Sequence, residues 1–199
     1  MKKIIAYNEV GKAIVSAVRN GIESVDKITI LPRSGSLSFG GYTKISPDED
    51  TVSSGLISKK FLFSKIEIAL AGRAAETVVF GESEITQCSI NNISYATNIV
   101  REMVTKYGFS IMGPISMESN SSDMPLGEGL FGRKPLIADN TSFRIDNEII
   151  KISKISLNNS IEILKKNRVL LDKLVDILLS HETIDKQLFK LTTSKLLKV

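Results

Sequence analysis

The residues best able to do chemistry lie near the start of the chain, where Asn8, Glu9 and Lys12 follow the frame N-E-x-x-K. In a helix, positions i and i+4 share a face, which is how H-E-x-x-H presents two imidazoles to zinc with the Glu as general base. Here an amide and an ammonium occupy the outer positions. An amide is a poor zinc ligand and lysine is protonated near neutral pH, so the pair does not predict a zinc site. Taken alone, the frame is more typical of one turn of an ordinary amphipathic helix.

Short blocks of interest run through the rest of the chain: Lys27–Arg33, Leu70–Glu76, Val79–Gly81, Ala96–Asn98, Arg101–Thr105, Tyr107–Gly108, Gly113–Pro114, Gly132–Arg133, Asn167–Arg168 and Glu182–Ile184. In order and spacing they resemble the peptidase domain of the FtsH/paraplegin family of membrane AAA proteases. The resemblance covers essentially the whole chain. It implies an α+β fold that is mainly α-helical, with a small β-sheet or hairpin near the N-terminal third.

The resemblance also implies roles for the residues of the first helix. Asn8 and Lys12 fall where the family has its zinc-binding histidines, and Asn92 falls where the family has the aspartate that is the third ligand. Only Glu9, the general base, matches. We therefore expect no zinc cofactor, an idle Glu9, and a pseudoprotease.

Two interpretations of the substituted residues remain open. Lys12 could replace the positive charge of a lost metal by pairing with Glu9 or by hydrogen-bonding Asn92. Alternatively, Lys12 extends to solvent and Asn92 caps a helix.

Composition indicates one compact domain. The chain has 199 residues, of which 42% are hydrophobic and 24% charged, and its mean hydropathy is +0.07. We assign residues 1–199 to one peptidase-like domain, with a helical C-terminal subdomain over residues 139–199 left open, and we expect no ATPase module. No apolar run approaches the roughly 20 residues of a membrane span. The single cysteine excludes an internal disulfide.

Positive charge is concentrated in the C-terminal quarter. The net charge is +4, and residues 151–199 hold ten of the 26 basic residues but five of the 22 acidic ones. These lysines alternate with aliphatic residues at helical spacing, which favours a solvated helix face over a nucleic-acid-binding surface. We expect no nucleic-acid partner.

Periodicity and helix-ending residues predict the elements. We expect helices at about residues 5–20, 56–80, 91–106, 139–166 and 168–180, with a short one after Thr183, and strands at 25–31 and 37–43. Gly81 and Gly108 are predicted to end two of the helices.

The second strand is the candidate substrate-binding edge. An extended polypeptide could pair with it through backbone hydrogen bonds alone. The alternative is that a neighbouring subunit or loop covers this edge. The residues assigned to it are Leu37, Ser38, Phe39, Gly40 and Gly41.

These observations favour a catalytically inactive homologue that scaffolds a larger, ring-shaped or organellar complex. Its partners would be protein subunits such as FtsH-like homologues, with unfolded polypeptide as a further ligand and membrane contact only through partners. We expect an intracellular location, in a plastid or mitochondrion and peripheral to a membrane. Residues with AT-rich codons (Ile, Lys, Asn) are abundant, which indicates an AT-rich genome such as that of an organelle, a reduced parasite or a symbiont. The alternative is an ATP-dependent zinc metallopeptidase domain for proteolysis and membrane-protein quality control. A nucleic-acid-binding helical module is the third and least supported class.

Overall fold

The computed structural model describes residues 1–19, 23–32, 40–47, 56–116 and 139–197. Mainly helical, with one small antiparallel sheet, the fold confirms the predicted class. Two short 3-10 turns, Glu82–Glu84 and Gln87–Ser89, precede the third helix. In chain order the elements are α1 (Lys2–Val18), β1 (Glu23–Thr29), β2 (Tyr42–Pro47), α2 (Lys59–Phe80), α3 (Ile90–Thr105), α4 (Asp139–Lys166), α5 (Arg168–His181), β3 (Thr183–Asp185) and α6 (Lys186–Leu196).

Helix α2 ends at Phe80, as its sequence predicts, but begins at Lys59, three residues later than predicted. Ser58 caps the N-terminus, because its hydroxyl accepts a hydrogen bond from the Phe61 amide. Gly81 ends the helix with φ of +91°, a left-handed value that glycine adopts at little cost. The predicted glycine stop is thus confirmed.

Helices α1 and α2 pack closely because Gly11 faces α2. A Cβ atom at Gly11 would lie 2.7 Å from the Cβ of Ala75 and 3.0 Å from the carbonyl oxygen of Ala71. The backbone of α1 can therefore approach α2 more closely than any larger residue would allow. This approach brings the N-E-x-x-K turn against α2.

The sheet has the order β2-β1-β3, with antiparallel pairing throughout. The predicted strand at residues 37–43 differs from the described strand, Tyr42–Pro47. Gly40 and Gly41 precede it with φ of +99° and +85°, values that interrupt a strand. Leu37, Ser38 and Phe39 lie outside the described residues.

Helix α2 connects two apolar cores. Its C-terminal half packs with α1, β1 and α5 around side chains such as Val10, Ile28 and Leu174, all fully buried. Its N-terminal half packs with α3 and α4 around Ile66 and Met103. The candidate site lies on the first core, where α1 is covered by α2 on one side and by the sheet on another.

The C-terminal helices follow the predicted boundaries, and one short strand was missed. Helices α4 and α5 are divided at Asn167, as expected. The missed strand β3 pairs Ile184 with Ile28 of β1. Three residues are too few to show the alternation that identifies a strand. Strand β3 forms because it pairs with the edge of β1 that β2 does not occupy. None of the described helices is long and apolar enough to cross a membrane.

Candidate functional site

Asn8 is buried between α1 and α2, with 2% of its surface exposed. Its side-chain Nδ2 donates to Oε1 of Glu76 at 2.8 Å and to Oγ of Ser89 at 2.7 Å. A Cβ atom at Gly72 would lie 2.3 Å from the Asn8 Oδ1 atom, so the amide fills the space that this glycine leaves. The contacts fix Asn8 against α2 and against the turn that leads into α3.

Glu76 is a fully buried carboxylate on α2. Besides Asn8, it accepts hydrogen bonds at Oε2 from the amide of Thr86 at 2.7 Å and from the hydroxyl of Thr86 at 2.8 Å. A carboxylate can be buried when several donors satisfy its oxygens. Glu76 thereby joins α1, α2 and the turn before α3 in one polar network.

Glu9 faces the opposite side of α1, toward the sheet, and is 5% exposed. The Nζ atom of Lys12 lies 2.9 Å from Oε1 and 2.8 Å from Oε2 of Glu9, and the Lys12 side chain is only 13% exposed. The hydroxyl of Thr43 on β2 lies 2.7 Å from Oε2 of Glu9 and 3.0 Å from its backbone oxygen. The predicted pairing of Lys12 with Glu9 is confirmed, and the alternative of a solvent-exposed Lys12 is wrong.

Asn92 lies in the first turn of α3 and is half-buried. The N-cap of that helix is Ser89, so Asn92 does not cap it. Ser89 brings the start of α3 to Asn8, but in the described ranges the hydrogen bonds of Asn8, Glu9 and Lys12 do not include Asn92. The assignment of Asn8, Glu9, Lys12 and Asn92 as a substituted catalytic set stays a prediction.

Tyr7 anchors the same turn of α1 to α5. Its hydroxyl donates to Oδ1 of Asp172 at 2.8 Å, and its ring packs edge-on against Phe80 at 5.5 Å between centroids. Burial, and then the bond to the Asp172 carboxylate, raise the pKa of Tyr7 above its usual value. The phenol therefore stays protonated at neutral pH and keeps its donor role.

Sequence reasoning did not assign Thr43, Glu76, Thr86 or Ser89 to this site. Glu76 lies inside one of the family-like blocks, which was a usable signal. Thr43 had no such signal, because only the tertiary structure brings β2 onto α1. The backbone at Gly41 also comes close to α1: a Cβ there would lie 2.8 Å from Cγ2 of Ile5 and 3.3 Å from Cγ of Glu9.

The sequence model for peptidase family M41 matches residues 1–191. This chain belongs to peptidase family M41. The chain is 39% identical over 189 residues to the ATP-dependent zinc metalloprotease FtsH of Trieres chinensis. The alignment covers 95% of the chain and 28% of that relative. The ATP-dependent zinc metalloprotease FtsH 3 of Synechocystis is 34% identical over 94% of the chain and 30% of its own length. The chloroplastic ATP-dependent zinc metalloprotease FTSH 2 of Arabidopsis thaliana is 33% identical over 100% of the chain and 28% of its own length.

These matches confirm the resemblance to the FtsH family. They also show that the chain spans less than a third, 28–30%, of the length of these three relatives. The family membership places the α1 turn in a peptidase fold.

The expectation that zinc is not a cofactor is wrong on this comparison. All three relatives are named zinc metalloproteases, so the family points to zinc. That expectation used only the side chains at positions 8, 12 and 92. The family match extends along nearly the whole chain, so it is the stronger evidence about the cofactor.

The side chains of the α1 turn nevertheless do not form a zinc-binding set. Asn8 offers an amide that already donates to Glu76, and Lys12 offers an ammonium that is paired with Glu9. The Lys12 ammonium has no lone pair to give to zinc, and a neutral amide oxygen such as that of Asn8 is a poor zinc ligand. Across the described ranges, no group of three or more His, Cys, Asp or Glu side chains is arranged to hold a metal ion. No catalytic step is therefore assigned to a metal at Asn8 and Lys12.

Proposed function

We propose that this chain serves as the peptidase domain of an FtsH-type, ATP-dependent proteolytic system whose substrates are polypeptides. The observation that carries the proposal is the match to peptidase family M41 over residues 1–191. The relatives, each named an ATP-dependent zinc metalloprotease, support the same function with zinc as cofactor. The ATPase activity would come from a part or partner outside these 199 residues.

Within the described chain, Glu9 is the group suited to act as general base. It is a buried carboxylate beside β2, so a polypeptide lying along that strand would pass close to it. Both of its oxygens are engaged by Lys12, and one of them also by Thr43. To accept a proton from a water molecule, Glu9 would need a lone pair directed at that water, and the contacts of Lys12 and Thr43 already occupy part of both oxygens.

A second candidate function is favoured by that ion pair. A peptidase-like domain whose general base is held by Lys12 could act as a supporting subunit that joins FtsH-like homologues without hydrolysing peptides itself. The basic helices of residues 151–199 would then form the contact region, in an assembly that buries at least about 1,000 Å² at each interface. The relatives favour the first function, and the Lys12–Glu9 geometry favours the second.

One experiment separates the two functions. The purified chain, wild type and Glu9→Gln, would be assayed for zinc content and for cleavage of labelled casein, alone and mixed with an active FtsH-type subunit. Proteolysis predicts cleavage by the wild type and a loss of roughly a hundredfold or more in Glu9→Gln, the usual contribution of a general base.

A supporting role predicts no cleavage by the wild type alone. It also predicts co-sedimentation with the active subunit and equal activity of the two mixed complexes, because Glu9 would not take part in hydrolysis. A chain that neither cleaves casein nor associates with the FtsH-type subunit would contradict both functions.

An organellar location accompanies the proposal. One relative is named chloroplastic, and the chain's richness in Ile, Lys and Asn suits an AT-rich genome. Localisation of a tagged chain by fluorescence microscopy tests this, and a signal spread through the cytosol would contradict it.

A further inference from the structure

Helix α4 packs into the protein through its inner face. The side chains of Ile145, Ile149 and Ile152 on that face are at most 7% exposed and pack with α2 and α3 in the second apolar core. The helix has 28 residues, so it is about 42 Å long at about 1.5 Å per residue. A helix that only stabilises this core needs apolar residues on its inner face alone. Large apolar residues on the outer face therefore call for a further explanation.

The outer face of α4 carries a row of such residues. Phe143 is 67% exposed and Ile150 is 51% exposed, while Leu157 is half-buried at the border of the two apolar cores. The three residues lie seven apart, and each step of seven turns the side chain by only about 20° around the helix. Single exposed apolar residues are common, but a row at this spacing is the pattern by which one helix packs along another.

Positive charge borders the row on one side. Arg144, Lys151 and Lys154 are all exposed and lie about 40–120° from the row in the same direction, at about 100° per residue. Asp146, which lies about 40° to the other side, is the one exposed acidic residue between Phe143 and Leu157. A partner on this face would meet three cations along one border. The partner best matched in charge is therefore acidic.

We propose that the outer face of α4 from Phe143 to Leu157 is a docking surface for an acidic amphipathic helix of a partner protein. The apolar row packs against the apolar stripe of that helix, and carboxylates beside the stripe pair with Arg144, Lys151 and Lys154. This part of α4 packs on the second core, whereas the candidate site lies on the first. The proposal therefore does not depend on the proposed function.

The other possible occupants match this face less well. An anionic membrane surface also attracts cations, but a helix that lies on a membrane needs a broad apolar face. Here Asp146 and Asn147 separate Phe143 from Ile150 along the helix. A second copy of the chain would contribute three more cations and a single exposed acidic residue, so the charges of the two faces would not balance.

Two designed peptides of about 21 residues, or three heptads, test the surface. Both carry leucine at the apolar positions of an amphipathic helix, and they differ only in having glutamate or lysine beside that stripe. In fluorescence anisotropy, we expect the glutamate peptide to bind the wild-type chain at least about tenfold more tightly than the lysine peptide. The difference should shrink as salt rises from about 0.1 M to about 1 M, because salt screens exposed charges. Equal binding of the two peptides, or no binding of the glutamate peptide, would overturn the proposal.

Variants of exposed residues locate the binding. Ile150→Asp puts a charge in the middle of the apolar row and should weaken binding of the glutamate peptide about tenfold or more. Leu191→Asp is the matched control, because Leu191 is 63% exposed on α6, and it should bind like the wild type. The double variant Lys151→Glu/Lys154→Glu should reverse the preference, so that the lysine peptide binds more tightly. Equal losses in Ile150→Asp and Leu191→Asp, or an unchanged preference in the double variant, would overturn the proposal.

Two measurements without peptide identify the other occupants. Sedimentation of the chain alone would reveal a dimer, and a dimer that Ile150→Asp dissociates would mean that a second copy covers this face. Flotation with vesicles of phosphatidylcholine and phosphatidylserine would reveal membrane binding, and binding that Ile150→Asp abolishes would mean that the face lies on lipid. Either result would overturn the partner helix. A wild-type chain that sediments as a monomer and does not float supports it.

Discussion

The buried ion pair between Lys12 and Glu9 gives a sharp prediction for stability. The Lys12 side chain is 13% exposed and that of Glu9 is 7% exposed, so neither charge is well solvated. Removing one partner of such a pair leaves the other charge buried without a counter-charge, which typically costs about 3–5 kcal/mol. Thr43 still donates to Glu9 when Lys12 is absent. We therefore expect Lys12→Met to lower the free energy of unfolding by about 3 kcal/mol, at the lower end of that range.

The double variant Glu9→Gln/Lys12→Met removes both charges together. Replacing a buried pair with uncharged groups is often nearly neutral, so we expect it to lie within about 1 kcal/mol of the wild type. The coupling between the two positions should then be at least about 2 kcal/mol. This is a large share of the 5–15 kcal/mol by which a typical domain is stable.

Urea unfolding followed by circular dichroism, at pH 7 with a chelator present, measures these differences. Lys173→Met is the matched control, because Lys173 is an exposed lysine on α5 and its loss should change stability by less than about 0.5 kcal/mol. A loss of less than about 1 kcal/mol in Lys12→Met, or a loss in the double variant equal to the sum of the two single losses, would contradict the importance of the ion pair.

Three further changes test the packing, the backbone and the charges. Gly11→Ala should lower stability by about 1–2 kcal/mol, because a Cβ 2.7 Å from that of Ala75 overpacks α1 against α2; a stabilised variant in urea unfolding would contradict this. Glu182 has φ of +57°, so Glu182→Val should be less stable than Glu182→Gly by at least about 1 kcal/mol, and equal urea midpoints would refute it. The Ser46 hydroxyl and then the Lys186 ammonium hold the pKa of Asp26 below its ordinary value of 3.8. The stability that Asp26 contributes is thus present above pH 3.8 and lost as pH falls through the lowered pKa. The gap in urea midpoint between wild type and Asp26→Asn should be largest near pH 7 and shrink toward pH 3; a gap independent of pH would contradict this.

The sequence by itself determined the helices and the family. Helical periodicity extends over many residues and is punctuated by local signals such as Gly81, whose φ of +91° ends α2. These signals depend on neighbours along the chain, so they can be recognised before folding is known. The family-like blocks are likewise linear, and the match over residues 1–191 confirmed them.

Tertiary structure alone decided the pairing of β3 and the long-range contacts of the site. Strand β3 forms because Ile184 meets Ile28 of β1, across a separation that no local pattern records. Asn8 reaches Glu76 and Ser89, 68 and 81 residues away.

The physical reason is the range of the interactions. A lysine three residues from a glutamate on one helix is a local pair, so the contact of Lys12 with Glu9 was predictable from spacing. The hydroxyl of Thr43 reaches the same carboxylate only after β1 has paired with β2 and the sheet has packed on α1. Sequence therefore proposed Asn8, Glu9 and Lys12 as candidate residues, while the tertiary structure determined which distant groups contact them.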